Sequence, residues 1–173
     1  MNIFFLSRNP RRCARWHVDR HCVKMILETA QLLCSAIWLC NEQGKYYENK
    51  IYKLTHKNHP SAIWTRDNKS NWKWLKKLGL ALCEEYQYRY GKVHKSYEII
   101  KGLKCPALPE GEMYDPPQAM KDEYKKDSAI RGYRNLYAFG KDHLHFWKNR
   151  HAWKKRNIPR FIIELRPEYE KYN

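Results

Sequence analysis

The stretch from Trp16 to Ile37, WHVDRHCVKMILETAQLLCSAI, leaves a chain few ways to fold. On a helix at roughly 100° per residue, His17, His21, Lys24, Glu28, Gln31 and Ser35 fall within about 40° of one line, a polar stripe spaced four, three, four, three, four. The remaining circumference, with Val18, Cys22, Val23, Met25, Ile26, Leu27, Ala30, Leu32, Leu33, Cys34 and Ile37, is largely apolar. The pattern therefore predicts a helix buried nearly all round, the reverse of a surface helix. Imidazoles, an ammonium, a carboxylate and an amide in such a setting must pair with one another, bind something or line a cleft. Two readings follow: a structural hydrogen-bond network, or one wall of an active site.

A chain of 173 residues suits one domain, 1–173, with a real core. Its charge is lopsided, 34 Lys plus Arg against 18 Asp plus Glu, a formal +16. Self-repulsion of that size opposes folding and suits a polyanionic partner, nucleic acid ahead of anionic membrane or acidic protein. No membrane anchor is expected: the longest apolar run, Ala30 to Cys40, is short and interrupted by Gln31 and Ser35. The start, MNIFFLSRNPRRC, places its apolar patch before its basic residues, the reverse of a secretory signal. Six cysteines without a CxxC pair read as reduced thiols, which predicts an intracellular, reducing compartment, cytoplasm or nucleus.

Taken in order, the chain predicts an all-α fold: a compact helical bundle with a long buried N-terminal helix and an irregular basic C-terminal segment. The apolar lead Asn2 to Leu6 packs beside helix one, which runs from about 10 to 40 and stops at Asn41 to Gly44. Lys45 to Leu54 is a tyrosine-rich connection. Pro60 fits a first helical turn, which sets His56 and His59 at a helix mouth. Helical spacing returns from Ser70 to Tyr90, with Trp72, Leu75, Leu78, Leu82 and Tyr86 inward and Gly91 as the stop. A short helix follows through Val93, Tyr97, Ile100 and Leu103, then a proline-rich loop over 105–117. The last third resumes helix at about Ser128 to Phe139, and the tail packs back through Phe161, Ile162, Ile163 and Leu165.

DNA contacts are expected from Lys73, Lys76 and Lys77 on the outer face of the 70–90 helix and from His143 to Arg156. In that segment Trp147 and Trp153 alternate with Lys148, Arg150, Lys154, Lys155 and Arg156, rings for bases among cations for phosphates. Within the stripe, Glu28 is a candidate acid–base group, with Lys24 one turn before it and His21 two turns before. A metal alternative, a nucleic-acid or nucleotide hydrolase, would use His17, His21, His56 and His59. A third reading is a non-catalytic DNA-binding protein.

Asp19-x-His21 followed by Glu28 on the first long helix, after a short apolar N-terminal segment, resembles the phage and large-virus pyrimidine-dimer DNA glycosylases of the endonuclease V type. The similarity continues in His56 to Pro60 and in the helix carrying Trp74, Leu75 and Glu85 to Gly91. It covers about half the chain through short motifs. The resemblance implies a compact helical fold, no cofactor, and damaged or modified duplex DNA as partner. It further implies an α-amine that attacks C1′ of the damaged nucleotide, a helix-one glutamate, here Glu28, that assists base loss and strand scission, and His21 as a neighbour in the damaged-DNA site. The family exposes the amine of residue 2. Asn2 is large enough to keep Met1 in place, so Met1 would supply the amine and Lys24 would be the substitute. An α-amine, with an ordinary pKa of roughly 7.7–8.0, suits attack near neutral pH. The basic positions flanking the family's glutamate are Leu27 and Gln31 here, which moves phosphate contact to Arg11, Arg12, Arg15 and Arg20. His17 has no counterpart in the family.

Overall fold

The computed structural model describes residues 1–40, 50–148 and 150–173. Its architecture is almost entirely helical. Helix α1 spans Pro10–Trp16, α2 Asp19–Cys40, α3 Pro60–Asp67, α4 Lys69–Tyr90, α5 Tyr97–Gly102, α6 Ala129–Asn135 and α7 Arg160–Leu165. One two-stranded antiparallel ribbon interrupts the pattern, β1 Phe146–Trp147 paired with β2 Arg150–His151. The stop of α2 and the connection up to residue 49 lie outside the described residues.

The helices start where capping chemistry allows. Asn9 accepts from the Arg12 N–H ahead of Pro10, Asn68 accepts from the Asn71 N–H ahead of α4, and Ser128 caps α6. Gly91 closes α4 in the left-handed conformation at φ 67°, which costs glycine nothing. Helices α2 and α4 form the central pair, packed so tightly at Gly79 that a Cβ there would meet the Thr29 methyl at 2.8 Å. One contiguous apolar core surrounds them and runs from Ile3 in the N-terminal lead to Tyr169 near the C-terminus. Residues 105–117 carry no helix or strand, as the prolines require. By length and composition α2 could cross a membrane, yet 67% of its most apolar window is buried inside the protein.

Three expectations need correction. Helix one is two helices: His17 adopts an extended conformation (φ −64°, ψ 131°), and α2 begins afresh at Asp19. Burial of α2 is also incomplete, since Val23 and Leu27 are each 38% exposed beside the exposed Lys24. In the tail, Leu165 faces outward while Phe161 and Ile162 are buried.

The break after α1 has a visible cause. Arg89 of α4 is 1% exposed, and its guanidinium donates to the carbonyls of Arg15 (2.9 Å) and His17 (2.8 Å), to Asp19 Oδ1 (2.9 Å) and to Glu85 Oε1 (2.8 Å). It satisfies carbonyls that a continuous helix would have bonded to its own N–H groups. Arg156 adds two bonds to Glu85, at 2.9 and 3.0 Å. Burial pushes the Glu85 carboxyl up, but the hydrogen bonds and charges of Arg156 and Arg89 outweigh it and hold the group below the usual range.

Replacing Arg89 by Met is expected to leave the Arg15 and His17 carbonyls without their side-chain donor and to remove one cation from each of Asp19 and Glu85, with a loss of about 3–5 kcal/mol. For a chain of this size that corresponds to a melting temperature lower by roughly 10 °C. Thermal unfolding followed by circular dichroism checks it; a shift under about 2 °C would show the network to be dispensable.

Candidate active site and nucleic-acid surface

The N-terminus, folded across α2, supplies the centre of the site. Ile3 to Leu6 are buried, and the Met1 side chain, at 2% exposure, packs against the same core. That anchoring directs the Met1 α-amine toward Glu28, with N to Oε2 at 3.9 Å. The Asn2 backbone N–H donates to the same oxygen at 2.9 Å, and Lys24 Nζ lies 3.3 Å from Oε1. Glu28 itself is nearly buried, whereas Lys24 reaches it from solvent with 71% of its side chain exposed. One carboxylate thus faces two amines and a peptide N–H, the arrangement in which a general acid–base group and a nucleophile share one small space.

Asn2 holds this geometry, and the sequence offered no signal for it. Its carboxamide donates to the Ala119 carbonyl at 3.0 Å and accepts from Tyr133 Oη at 2.7 Å and from the Ile3 N–H at 2.8 Å. The chain start is therefore fixed by the loop before α6 and by α6 itself, both distant in sequence.

The histidines play different parts. His21 stacks on Phe4 with ring centroids 4.2 Å apart and shares a 2.6 Å hydrogen bond with Tyr137, building the wall between the N-terminal lead and the turn after α6. His17 leaves the stripe because of the helix break; its Nδ1–H donates to the Cys13 carbonyl at 2.8 Å and its Nε2 is buried without a partner. His59 caps α3 by accepting the Ser61 N–H at 3.1 Å. Burial lowers its pKa first, then the Met1 amine and His56, while Glu28 opposes them, so the helix mouth feels the field of the site. The four histidines do not assemble: among the described residues, no three His, Cys, Asp or Glu side chains come together to hold a metal ion.

The expected DNA contacts divide sharply. Trp153 is fully buried and donates to the Trp16 carbonyl at 3.0 Å, so it is core and not a base-stacking surface. Arg156 is committed to Glu85 and lies over the Tyr88 ring, 4.1 Å from its centroid. Lys76 caps the end of α5 through the carbonyls of Lys101 and Leu103. Lys155 donates to the Tyr88 carbonyl at 2.9 Å. Arg11, Arg12, Arg15, Arg20, Lys73, Lys77, Lys148, Arg150 and Lys154 remain exposed, and Trp147 is 65% exposed. Arg20, Trp147, Arg150 and Lys154 line one open cleft of about 780 Å³ together with His143. Of the remainder, Arg11 and Arg15 border a smaller pocket on the α1–α4 face. The sequence also gave no sign of the roles of Tyr133, Tyr137 and Arg89, whose partners lie far away along the chain.

Comparisons with protein-family models, with curated proteins and with solved structures yield no match to this chain.

Burial lowers the pKa of His17 and His145 from 6.5 to about 4, and burial followed by the charges of His17 and Lys141 takes His21 to about 2. Below pH 6.5 the unfolded chain binds protons that these rings refuse when folded. Stability is therefore complete above about pH 6.5 and falls as the pH drops toward 4, by at most about 3 kcal/mol for His17. Melting temperatures measured from pH 7 to 4 are expected to decline. His145→Phe, which keeps a ring beside Trp153 and Tyr169, is expected to flatten the decline without changing stability above pH 7. An unchanged slope would contradict this assignment.

Proposed function

We propose that the chain is a DNA-lesion N-glycosylase with associated lyase activity at abasic sites, in which the Met1 α-amine is the nucleophile and Glu28 the acid–base group. The observation that carries this reading is the 3.9 Å approach of the amine to a nearly buried carboxylate that also accepts the Asn2 N–H. The resemblance in Asp19, His21 and Glu28 supports it, as does a net charge of +16 suited to a phosphate backbone.

In this mechanism the amine lone pair forms a bond to C1′ as the C1′–base bond breaks, and the base departs with its bonding electrons and takes up a proton. Loss of the amine proton and opening of the sugar ring give an imine. Glu28 removes a proton from C2′, and those electrons expel the 3′ phosphate, which cuts the strand. Water then hydrolyses the imine and frees the amine. The 3.9 Å separation of Glu28 Oε2 from the amine nitrogen and its bond to the Asn2 N–H support a role for this carboxylate in proton transfer on both sides of the imine. Lys24 keeps a positive charge beside the carboxylate at the solvent edge, where a phosphate would arrive. His21 and Phe4 form the wall against which the nucleotide sits.

Duplex DNA with one abasic site tests the reading through nicking and through borohydride trapping of the imine. Glu28→Gln is expected to slow nicking by roughly 10²- to 10⁴-fold while duplex binding persists. Two residues added ahead of Met1 are expected to abolish the trapped adduct, and Lys24→Ala to retain it. Absence of an adduct in the unaltered protein, or its survival in the extended one, would refute the proposal.

A further inference from the structure

The cleft beside the N-terminus of α2 carries an inference that deepens the proposed function and rests on its premise that the ligand is DNA. Trp147 and Arg150 are register partners across the ribbon and so project from the same face of it. The ribbon is held in place by Phe146, whose ring packs edge-on against Tyr169 and Tyr172 at centroid distances of 5.0 and 4.8 Å. With Phe146 so anchored, Trp147 stands 65% exposed, and the Arg20 guanidinium lies 5.9 Å from its ring centroid.

Charge in the cleft favours an anion. Asp19 lines it but is already neutralised, accepting from Arg89 at 2.9 Å and from the Lys154 N–H at 3.0 and 3.2 Å. Arg20, Arg150 and Lys154 keep exposed side chains directed at the cleft. An exposed indole among cations offers a stacking surface, and a base inside an intact duplex has both faces covered by its neighbours. Only an unpaired base can use the ring. A volume of about 780 Å³ lies in the range of ligand clefts and accommodates a few nucleotides of one strand.

We propose that this cleft holds a short single-stranded stretch of DNA, with one base stacked on Trp147 and its phosphates on Arg20, Arg150 and Lys154. Arg20 precedes Glu28 by eight residues of α2, about 12 Å along the helix axis. A separation of that order is spanned by a few nucleotides of one strand. Arg20 and His143 line the cleft, and Arg20 directly precedes His21 on α2, so the cleft opens beside the first turn of the helix that carries Glu28. The preferred substrate is consequently DNA that is strand-separated next to its lesion.

Three labelled DNAs test this by fluorescence anisotropy at one salt concentration: a ten-nucleotide oligothymidine, an intact duplex, and the same duplex with a four-nucleotide single-stranded gap. The oligothymidine and the gapped duplex are expected to bind at least tenfold more tightly than the intact duplex. Trp147→Ala is expected to weaken both by about tenfold and leave the intact duplex within twofold, with Trp147→Phe close to the unaltered protein. Equal affinities for all three DNAs, or a Trp147→Ala effect that is absent or the same on each, would overturn the proposal. The abasic-site adduct reports independently. Its loss with Trp147-dependent binding intact refutes only the amine mechanism, its retention with Trp147-independent binding refutes only the cleft, and no binding to any of the three DNAs refutes both.

Discussion

The buried Arg89 guanidinium bonds at once to the last carbonyls of α1, to the first residue of α2 and to Glu85 on its own helix, and much of the molecule takes its geometry from that meeting. A cation removed from water needs partners for its N–H groups, and two carboxylates and two carbonyls take four of the five. Because two of those partners are the carbonyls of Arg15 and His17, the chain must turn between α1 and α2. That turn takes His17 off the polar stripe and brings Asp19 to the mouth of the cleft. Through Asp19 the same network receives the Lys154 N–H, and through Glu85 it receives Arg156, so the basic C-terminal segment is tied to the central helix pair. A fold with a formal charge of +16 thus gathers two of its acidic groups, Asp19 and Glu85, in one place.

The N-terminus is the second consequence of packing at a distance. A terminal amine is ordinarily mobile, and its usefulness as a nucleophile depends on being held. Here the Met1 side chain is buried, Asn2 is bonded to Ala119, Tyr133 and Glu28, and Phe4 stacks on His21. The elements that restrain the amine are α2, α6 and the loop between residues 105 and 128. Sequence separations of more than a hundred residues converge on the first two positions of the chain.

This division explains what the sequence made legible. Helical periodicity located α2 and α4, the proline and glycine punctuation located their neighbours, and the stripe brought Lys24 and Glu28 together with His21 close by, because these depend on spacing along one helix. Helix spacing alone could not reveal the break at His17, since its cause is an arginine about seventy residues away. Trp147 and Trp153 look alike in sequence, each followed by a lysine. They part because the ribbon anchors Phe146 inward and leaves Trp147 outside, whereas the Trp153 indole finds the Trp16 carbonyl in the core. Arg156 and Lys76 likewise read as free charges until their partners on other elements are in place. Asn2 was illegible for the same reason: a short polar side chain at the chain start acquires meaning only from Ala119 and Tyr133.

The central claim is that the chain's own first amine, positioned on Glu28, forms the bond to DNA. Proteolysis of the borohydride-reduced complex with abasic-site DNA, followed by mass spectrometry of the modified peptide, tests it most directly. Attack by this amine leaves the nucleotide mass on the Met1 α-nitrogen. Modification of Lys24, or of any other lysine in place of Met1, would contradict it.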